Sequence, residues 1–210
     1  MKILLVAATE FEILPFLDKS IWPNLHILIT GVGQMQTAFH TGLALQKETF
    51  DLAINAGICG SFRKDWELGK VVHIISESFG DLGIEEADGS FKDMFEMGFL
   101  ERNNRPFQDA KLTNENAAGF VFLERAHGLT VNKVHGFQPS IDKIRKTYPA
   151  DIENMEGAGF FYACKLLDVR FLEIRSISNY VEKRNRENWE IGLALENLHK
   201  VLAEILAVLH

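Results

Sequence analysis

Asn154-Met155-Glu156-Gly157-Ala158-Gly159, followed one strand later by Arg175-Ser176-Ile177-Ser178-Asn179, is the stretch on which the reading of this chain turns. The first run sets a lone carboxylate at the start of a Gly/Ala-rich helix able to pack closely on a sheet. Glu in a first helical turn also favours the macrodipole, so Glu156 has a purely structural explanation as well. Arg175 is harder to explain that way. It interrupts an otherwise apolar strand, and a buried guanidinium needs an acidic or polar partner. Asn179 fits an ordinary turn after that strand. It also shares strand parity with Arg175, so an extended segment would turn both side chains to one face. Polar groups at the carboxyl ends of strands in a sheet-and-helix protein are where small-molecule sites are built.

Outward from this stretch the pattern is strand, helix, strand. Residues 2–8 read as a buried strand and 10–18 as a short helix. A strand at 25–30 precedes a helix at 34–47 and a third strand at 52–56. Further strands are expected at 69–75, 129–134 and 171–177, and helices at 141–147 and 156–167. Leu198, Val201, Leu202, Ile205, Leu206 and Leu209 recur at helical spacing, which predicts a long closing helix. Near-continuous apolar strands alternating with helices indicate an α/β fold whose largely parallel sheet is covered on both faces. Residues 79–109 break the rhythm, being rich in Gly, Asp, Phe and Met. A stretch this long without a period is read as a functional loop or an interface element.

The 210 residues suit a single domain over 1–210, and 47% apolar residues are ample for its core. A net charge of −7 with no basic run argues against nucleic acid and anionic membranes as partners. Sixteen Phe against three Tyr predict rings that are mostly core, with a few lining an apolar pocket. Cys59 and Cys164 match no metal-ligand spacing and read as buried free thiols of a reducing cytosol. The seven histidines form no metal pattern, and His73, His127 and His135 are expected to be structural or exposed. No apolar run approaches the roughly 20 residues that span a bilayer, so a cytoplasmic protein is expected, with no metal and no cofactor.

Thr9-Glu10-Phe11-Glu12 follows the first strand. Thr9 and Glu12 fit the capping box of a helix start, while a carboxylate at that strand end is also placed to activate a water. Gly31-Val32-Gly33 and Asn55-Ala56-Gly57-Ile58-Cys59-Gly60-Ser61 read as glycine-rich turns that let a ligand approach. A dinucleotide fingerprint would need Gly where Gln36 stands.

In this order, these elements resemble the purine nucleoside phosphorylase/nucleosidase superfamily over nearly the whole chain, Met155-Glu156 and Arg175 to Asn179 being the specific matches. The resemblance implies a three-layer nucleoside phosphorylase-like fold with a central mixed, mostly parallel sheet flanked by helices. It implies a purine nucleoside as substrate and a homodimer or higher homo-oligomer. Glu156 would hold the ribose hydroxyls, with Met155 against the sugar. Glu12 would be the base for an attacking water, oriented and ionised by Arg175, and Phe137 would pack on the purine. Gly57, Ile58 and Ser178 would complete the binding site. The nearest branches are the methylthioadenosine/adenosylhomocysteine nucleosidases and the futalosine hydrolases, which release hypoxanthine in menaquinone biosynthesis.

Two departures choose between those branches. Nucleosidases acting on adenine bases carry an Asp at the position of Asn179, where it protonates N-7, and a Ser where this chain has Ile58. Asn cannot be a general acid. Its carbonyl can accept from a protonated N-7 while its NH₂ donates to a carbonyl at O-6. A 6-aminopurine presents a donor there instead. Asn179 therefore favours a 6-oxopurine, and the Phe-rich residues 91–107 would wall an aromatic substituent on the ribose. A phosphorylase for inosine or guanosine is the competing enzyme, with Arg63 and Lys64 as the only phosphate ligands on offer. A catalytically silent nucleoside-binding protein is the competing class, opposed by the presence together of Glu12, Glu156 and Arg175.

Overall fold

The computed structural model describes residues 1–18, 20–114 and 122–209. Strands β1 (Ile3–Ala7), β2 (Leu25–Ile29) and β3 (Leu52–Ser61) open the chain, with helix α1 (Gln34–Lys47) between the last two. Strand β4 (Val71–Phe79) leads into a small hairpin of β5 (Gly83–Glu85) and β6 (Phe91–Asp93), then β7 (Leu112–Thr113) and β8 (Glu124–Thr130). Helix α2 (Gln138–Thr147), β9 (Ile152–Asn154), α3 (Gly157–Leu166), β10 (Phe171–Tyr180) and α4 (Ile191–Leu209) complete it.

The main sheet runs β10-β4-β8-β9-β3-β1-β2, and β10 also pairs with β3. Five strands thus close on themselves, and β1 and β2 extend outward from β3. Pairing is parallel except at β10–β4, β3–β9 and β4–β7. This is the expected mixed, mostly parallel sheet flanked by helices, with the added fact that part of it is a closed ring.

The period-2 side-chain alternation divides the core. Leu4 and Val6 of β1 pack with Phe160, Phe161 and Cys164 of α3. Ile3, Leu5 and Ala7 of the same strand pack with Leu198, Leu202, Ile205 and Leu206 of α4. A third cluster joins Phe62, Leu129, Val131 and Val181 to Ile141 and Ile144 of α2. Both cysteines are free and buried. No helix among the described residues is long and apolar enough to cross a membrane.

Several boundaries differ from the sequence reading. The helix expected at 10–18 is two 3-10 turns, Glu10–Glu12 and Leu14–Phe16, separated at Ile13, with Pro15 at the start of the second. The third strand does not stop at Ala56. It continues through Gly57 and Gly60, so the second glycine-rich segment is strand and not turn. The strand expected at 129–134 lies at Glu124–Thr130. Residues 79–109 hold the β5–β6 hairpin rather than an irregular loop alone.

Candidate active site

The carboxyl end of β1 delivers Thr9 and the turn that carries Glu12. Glu12 Oε2 accepts from the Thr9 N–H at 3.0 Å and lies 3.1 Å from its hydroxyl. Oε1 accepts from the Ile58 N–H at 3.2 Å. The local turn and the distant strand therefore fix the same carboxyl group, so a capping role and a site role are compatible. Burial pushes the Glu12 carboxyl above its usual range, against the lowering influence of Arg175.

Arg175 is 1% exposed and crosses the interior of the site. Its Nε donates to Glu173 Oε1 at 2.7 Å and its Nη2 to Asn55 Oδ1 at 2.5 Å, while Nη1 stands 3.6 Å from Glu156 Oε2. Burial works against the guanidinium charge, but Glu173, Glu156 and Glu12 together outweigh it and hold Arg175 cationic. Gly57 makes this arrangement possible. A Cβ there would sit 2.7 Å from Glu12 Oε1 and nearer still to Arg175 Nη1. The glycine is required for clearance, since the backbone is extended.

Glu156 stands at the N-cap position of α3, and its Oε1 accepts from the Gly33 N–H at 3.1 Å, at the N-cap of α1. Two helix N-termini thus converge on one carboxylate, a favourable placement for negative charge. Gly159 allows this convergence, because a Cβ on it would lie 3.1 Å from the Gln34 Cα. Asn154 Oδ1 accepts from the Glu156 and Gly157 N–H groups at 2.9 and 2.7 Å. The Ala158 N–H donates to the Thr130 hydroxyl at 2.7 Å. Behind these caps lies Glu77, which accepts from Asn154 Nδ2 at 2.6 Å and from Thr130 at 2.8 Å.

Glu77 and Glu173 are both fully buried. Burial, and then the neighbouring Glu173, push the Glu77 carboxyl well up; burial also raises Glu173. Two adjacent carboxyls in such surroundings cannot both ionise, so the pair retains a proton. Sequence reasoning missed both residues. For Glu173 the signal was present, a single carboxylate between Leu172 and Ile174 and the same anomaly that singled out Arg175; Glu77, between Ser76 and Ser78, gave no such signal.

Asn179 does not share a face with Arg175. The β10–β3 register shifts between Ile177 and Asn179, so Arg175 pairs with Gly57 but Asn179 with Gly60. The bulge inserts Ser178 and reverses the side-chain alternation expected from parity. The Ser178 hydroxyl lies 2.9 Å from Asn179 Oδ1, and Asn179 Nδ2 donates to the Tyr180 carbonyl at 3.0 Å. The amide is oriented by its neighbours and keeps one N–H and one lone pair for another molecule. Asn179 is therefore strand and not turn. Met155 is half-buried and Phe137, at the N-cap of α2, is 70% exposed. Arg175 makes no hydrogen bond to Glu12; its direct partners are Glu173, Asn55 and Glu156, so its influence on Glu12 is electrostatic.

A mixed sheet closed upon itself, with Glu12, Glu156 and Glu173 gathered around Arg175, points to the class. The chain belongs to the phosphorylase superfamily, whose sequence model it matches over residues 23–209. Within that class it is similar to the futalosine hydrolase of Thermus thermophilus, at 31% identity over 97% of this chain and 95% of the relative. It is also 31% identical to the Streptomyces coelicolor futalosine hydrolase, over 87% and 79% of the two chains. The 5′-methylthioadenosine/S-adenosylhomocysteine nucleosidase of Aeromonas salmonicida is 26% identical, over 81% and 74%. In structure the chain is similar to the Neisseria meningitidis nucleosidase of that type in complex with methylthio-immucillin-A. The TM-score is 0.79, with 19% identity and coverage of 98% and 99%. The Helicobacter pylori futalosine hydrolase also gives a TM-score of 0.79, with 14% identity and coverage of 99% and 97%.

Proposed function

We propose that this chain is a nucleosidase that hydrolyses the N-glycosidic bond of futalosine, releasing hypoxanthine within menaquinone biosynthesis in the cytoplasm. Glu12 is the base that takes a proton from the attacking water. Glu156 accepts from the ribose hydroxyls, and its negative charge favours the oxocarbenium-like sugar of the transition state. Met155 lies against the sugar and Phe137 closes over the base. Arg175 favours the ionised form of Glu12 through space and holds Glu156 in place by its ion pair. Ser178 orients Asn179, whose remaining N–H meets O-6 and whose lone pair receives the proton arriving on N-7. Ile58 and Gly57 fix Glu12 from beneath. The scheme calls on neither a metal nor a cofactor.

The observation that carries hydrolysis over phosphorolysis is the charge around Arg175. The crevice's guanidinium is already enclosed by Glu173 and Glu156, with Glu12 acting through space, so a phosphate anion entering there meets net negative charge. Arg63 and Lys64 are engaged elsewhere. Arg63 makes a two-pronged contact with Asp65 at 3.1 and 2.5 Å, and Lys64 pairs with Glu182.

Base choice rests on Asn179 and on the two futalosine hydrolases at 31% identity. Asn179→Asp replaces the N–H aimed at O-6 by an acceptor. Losing that bond costs a 6-oxopurine substrate about 1–3 kcal/mol, or roughly 5–150-fold. A 6-aminopurine gains an acceptor for its NH₂. Turnover of futalosine, inosine and methylthioadenosine, compared in wild type and variant, should show futalosine preferred by the wild type. The 6-oxo to 6-amino ratio should fall in Asn179→Asp. An unchanged ratio would remove Asn179 from base selection.

The homo-oligomer has its support in an exposed apolar stripe on α1. Met35, Phe39 and Leu43 recur every four residues at 80%, 62% and 37% exposure, beside Val32. Light scattering should report at least a dimer; a monomer would count against it.

A further inference from the structure

Every strand of the closed ring sends a side chain into one buried polar layer. Asn55 comes from β3, Glu77 from β4, Thr130 from β8, Asn154 from β9, and Glu173 and Arg175 from β10. On the far side of that layer the packing is apolar. Ile152 and Ala126, which share faces with Asn154 and Thr130, join Val72, Ile74 and Ile177 in one cluster. Glu77 has no part in the scheme above, yet the chain is cleared for it in two places. A Cβ on Gly128 would lie 2.9 Å from its Oε2, and one on Gly157 would lie 2.7 Å from its Cδ.

The hydrogen bonds of the layer have a direction. Asn154 gives its Nδ2 to Glu77, which turns its Oδ1 toward the N–H groups of Glu156 and Gly157. Thr130 gives its hydroxyl proton to Glu77, which leaves its lone pair for the Ala158 N–H. Three consecutive N–H groups at the start of α3, that of Glu156 among them, are thus held by two side chains that Glu77 orients. An apolar side chain in its place would let both turn away. On its other side Glu77 meets Glu173. The proton that the two retain belongs to Glu77. Glu173 has Arg175 Nε at 2.7 Å, whereas no cation among the described residues forms an ion pair with Glu77. Glu77 gives that proton to Glu173 as a hydrogen bond, so donors from both directions converge on Glu173, the one anion of the layer.

We infer that Glu77 is a positioning residue: as a neutral carboxylic acid it locks the first turn of α3 and so aims the Glu156 carboxylate at the ribose hydroxyls. This rests on the ribose-binding role given to Glu156 above and extends it to the layer underneath. Neutrality matters as much as the hydrogen bonds. A second bare anion in the layer would compete for Arg175, the cation that also pairs with Glu156. The layer thus decides where negative charge stands, at Glu156 facing the sugar and at Glu173 against the guanidinium.

The test compares Glu77→Leu with Glu77→Gln, after circular dichroism has verified the fold. The readout is kcat/KM for inosine divided by kcat/KM for 2′,3′-dideoxyinosine, which lacks both hydroxyls that Glu156 accepts from. The intrinsic lability of the two bonds cancels when a variant's ratio is set against that of wild type. Glu77→Leu should lower the ratio by roughly 5–150-fold, the range for one hydrogen bond lost from a buried site. Gln reproduces the neutral acid, with a carbonyl to accept and an NH₂ to give to Glu173, so Glu77→Gln should keep most of the preference. An unchanged ratio in Glu77→Leu, with both rates falling together, would mark a purely structural group and overturn the assignment. A Glu77→Gln ratio as low as that of Glu77→Leu would overturn the neutral role. If Glu77→Leu does not fold, Thr130→Val cuts one of the same links and should lower the same ratio; no change there counts equally against the assignment. Infrared spectra at about pH 8, where exposed carboxyls are ionised, should show a protonated-carboxyl band in wild type that Glu77→Gln lacks. Its absence from wild type would also overturn the assignment. The two readings fail separately. If wild type has no preference for inosine, the ribose clamp at Glu156 falls and the role of Glu77 with it. If wild type prefers inosine and Glu77→Leu keeps that preference, only Glu77 is excluded.

Discussion

Replacing Glu12 by Gln should lower turnover by about 10²–10⁴-fold, the scale for loss of a general base, while leaving the fold intact. Gln keeps an oxygen to accept from the Ile58 N–H, the contact that ties the turn to β3. The turn is also fixed through its backbone, since His199 Nε2 lies 3.2 and 3.1 Å from the carbonyl oxygens of Phe11 and Glu12. What Gln cannot do is take the proton from water. The wild-type pH profile should carry the same information. A base must be ionised to act, and burial raises the Glu12 carboxyl above its ordinary value of 4.5. Activity should therefore be present above that raised pKa and disappear as pH falls through it. In kcat/KM the acid limb should lie higher than an exposed carboxylate would give. Near-normal turnover in Glu12→Gln would return this residue to a capping role alone.

The second large effect is on stability. Arg175→Met removes the cation that Glu12, Glu156 and Glu173 share. Removing one member of a buried ion pair costs about 3–5 kcal/mol, because the remaining charges stay buried and unpaired. Arg175 is 1% exposed, so surface screening does not reduce the figure. The sign with pH follows from what is left. Without the guanidinium, the Glu173 carboxyl, already raised by burial, loses the neighbour that lowers it, and its folded-state pKa rises further above that of the unfolded chain. Groups raised in this way leave the folded state most stable below the unfolded pKa, and stability is lost as pH rises through the folded one. Urea titrations near pH 5 and pH 8 should find the variant's deficit larger at the higher pH. A deficit below about 1 kcal/mol, or one independent of pH, would show that Arg175 does not hold the cluster together.

Much of this architecture was legible in the residues, and the failures have physical causes. The alternation of apolar strands with helices predicted the sheet and its covered faces, and α1 was placed at its observed ends. The glycines misled. Gly57 and Gly60 suggested a turn, whereas each keeps strand geometry and is small because a side chain from β10 occupies the space a Cβ would take. Such clearance depends on a strand more than a hundred residues away, and no local pattern reports it. The bulge at Ser178 was hidden for the same reason, since a register shift belongs to a pair of strands and not to one. Arg175 was identified from its mismatch with an apolar strand. The same test would have found Glu173, which with Glu77 sets the electrostatics beneath Glu156.

The account's central claim is that water, and not phosphate, attacks the sugar of a 6-oxopurine nucleoside. Incubating the enzyme with futalosine in phosphate buffer, then following hypoxanthine by chromatography and the sugar by ³¹P NMR, tests it directly. Hypoxanthine should appear together with an unphosphorylated sugar product, at a rate unaffected by phosphate concentration. A sugar 1-phosphate, or a rate that rises with phosphate, would contradict the account.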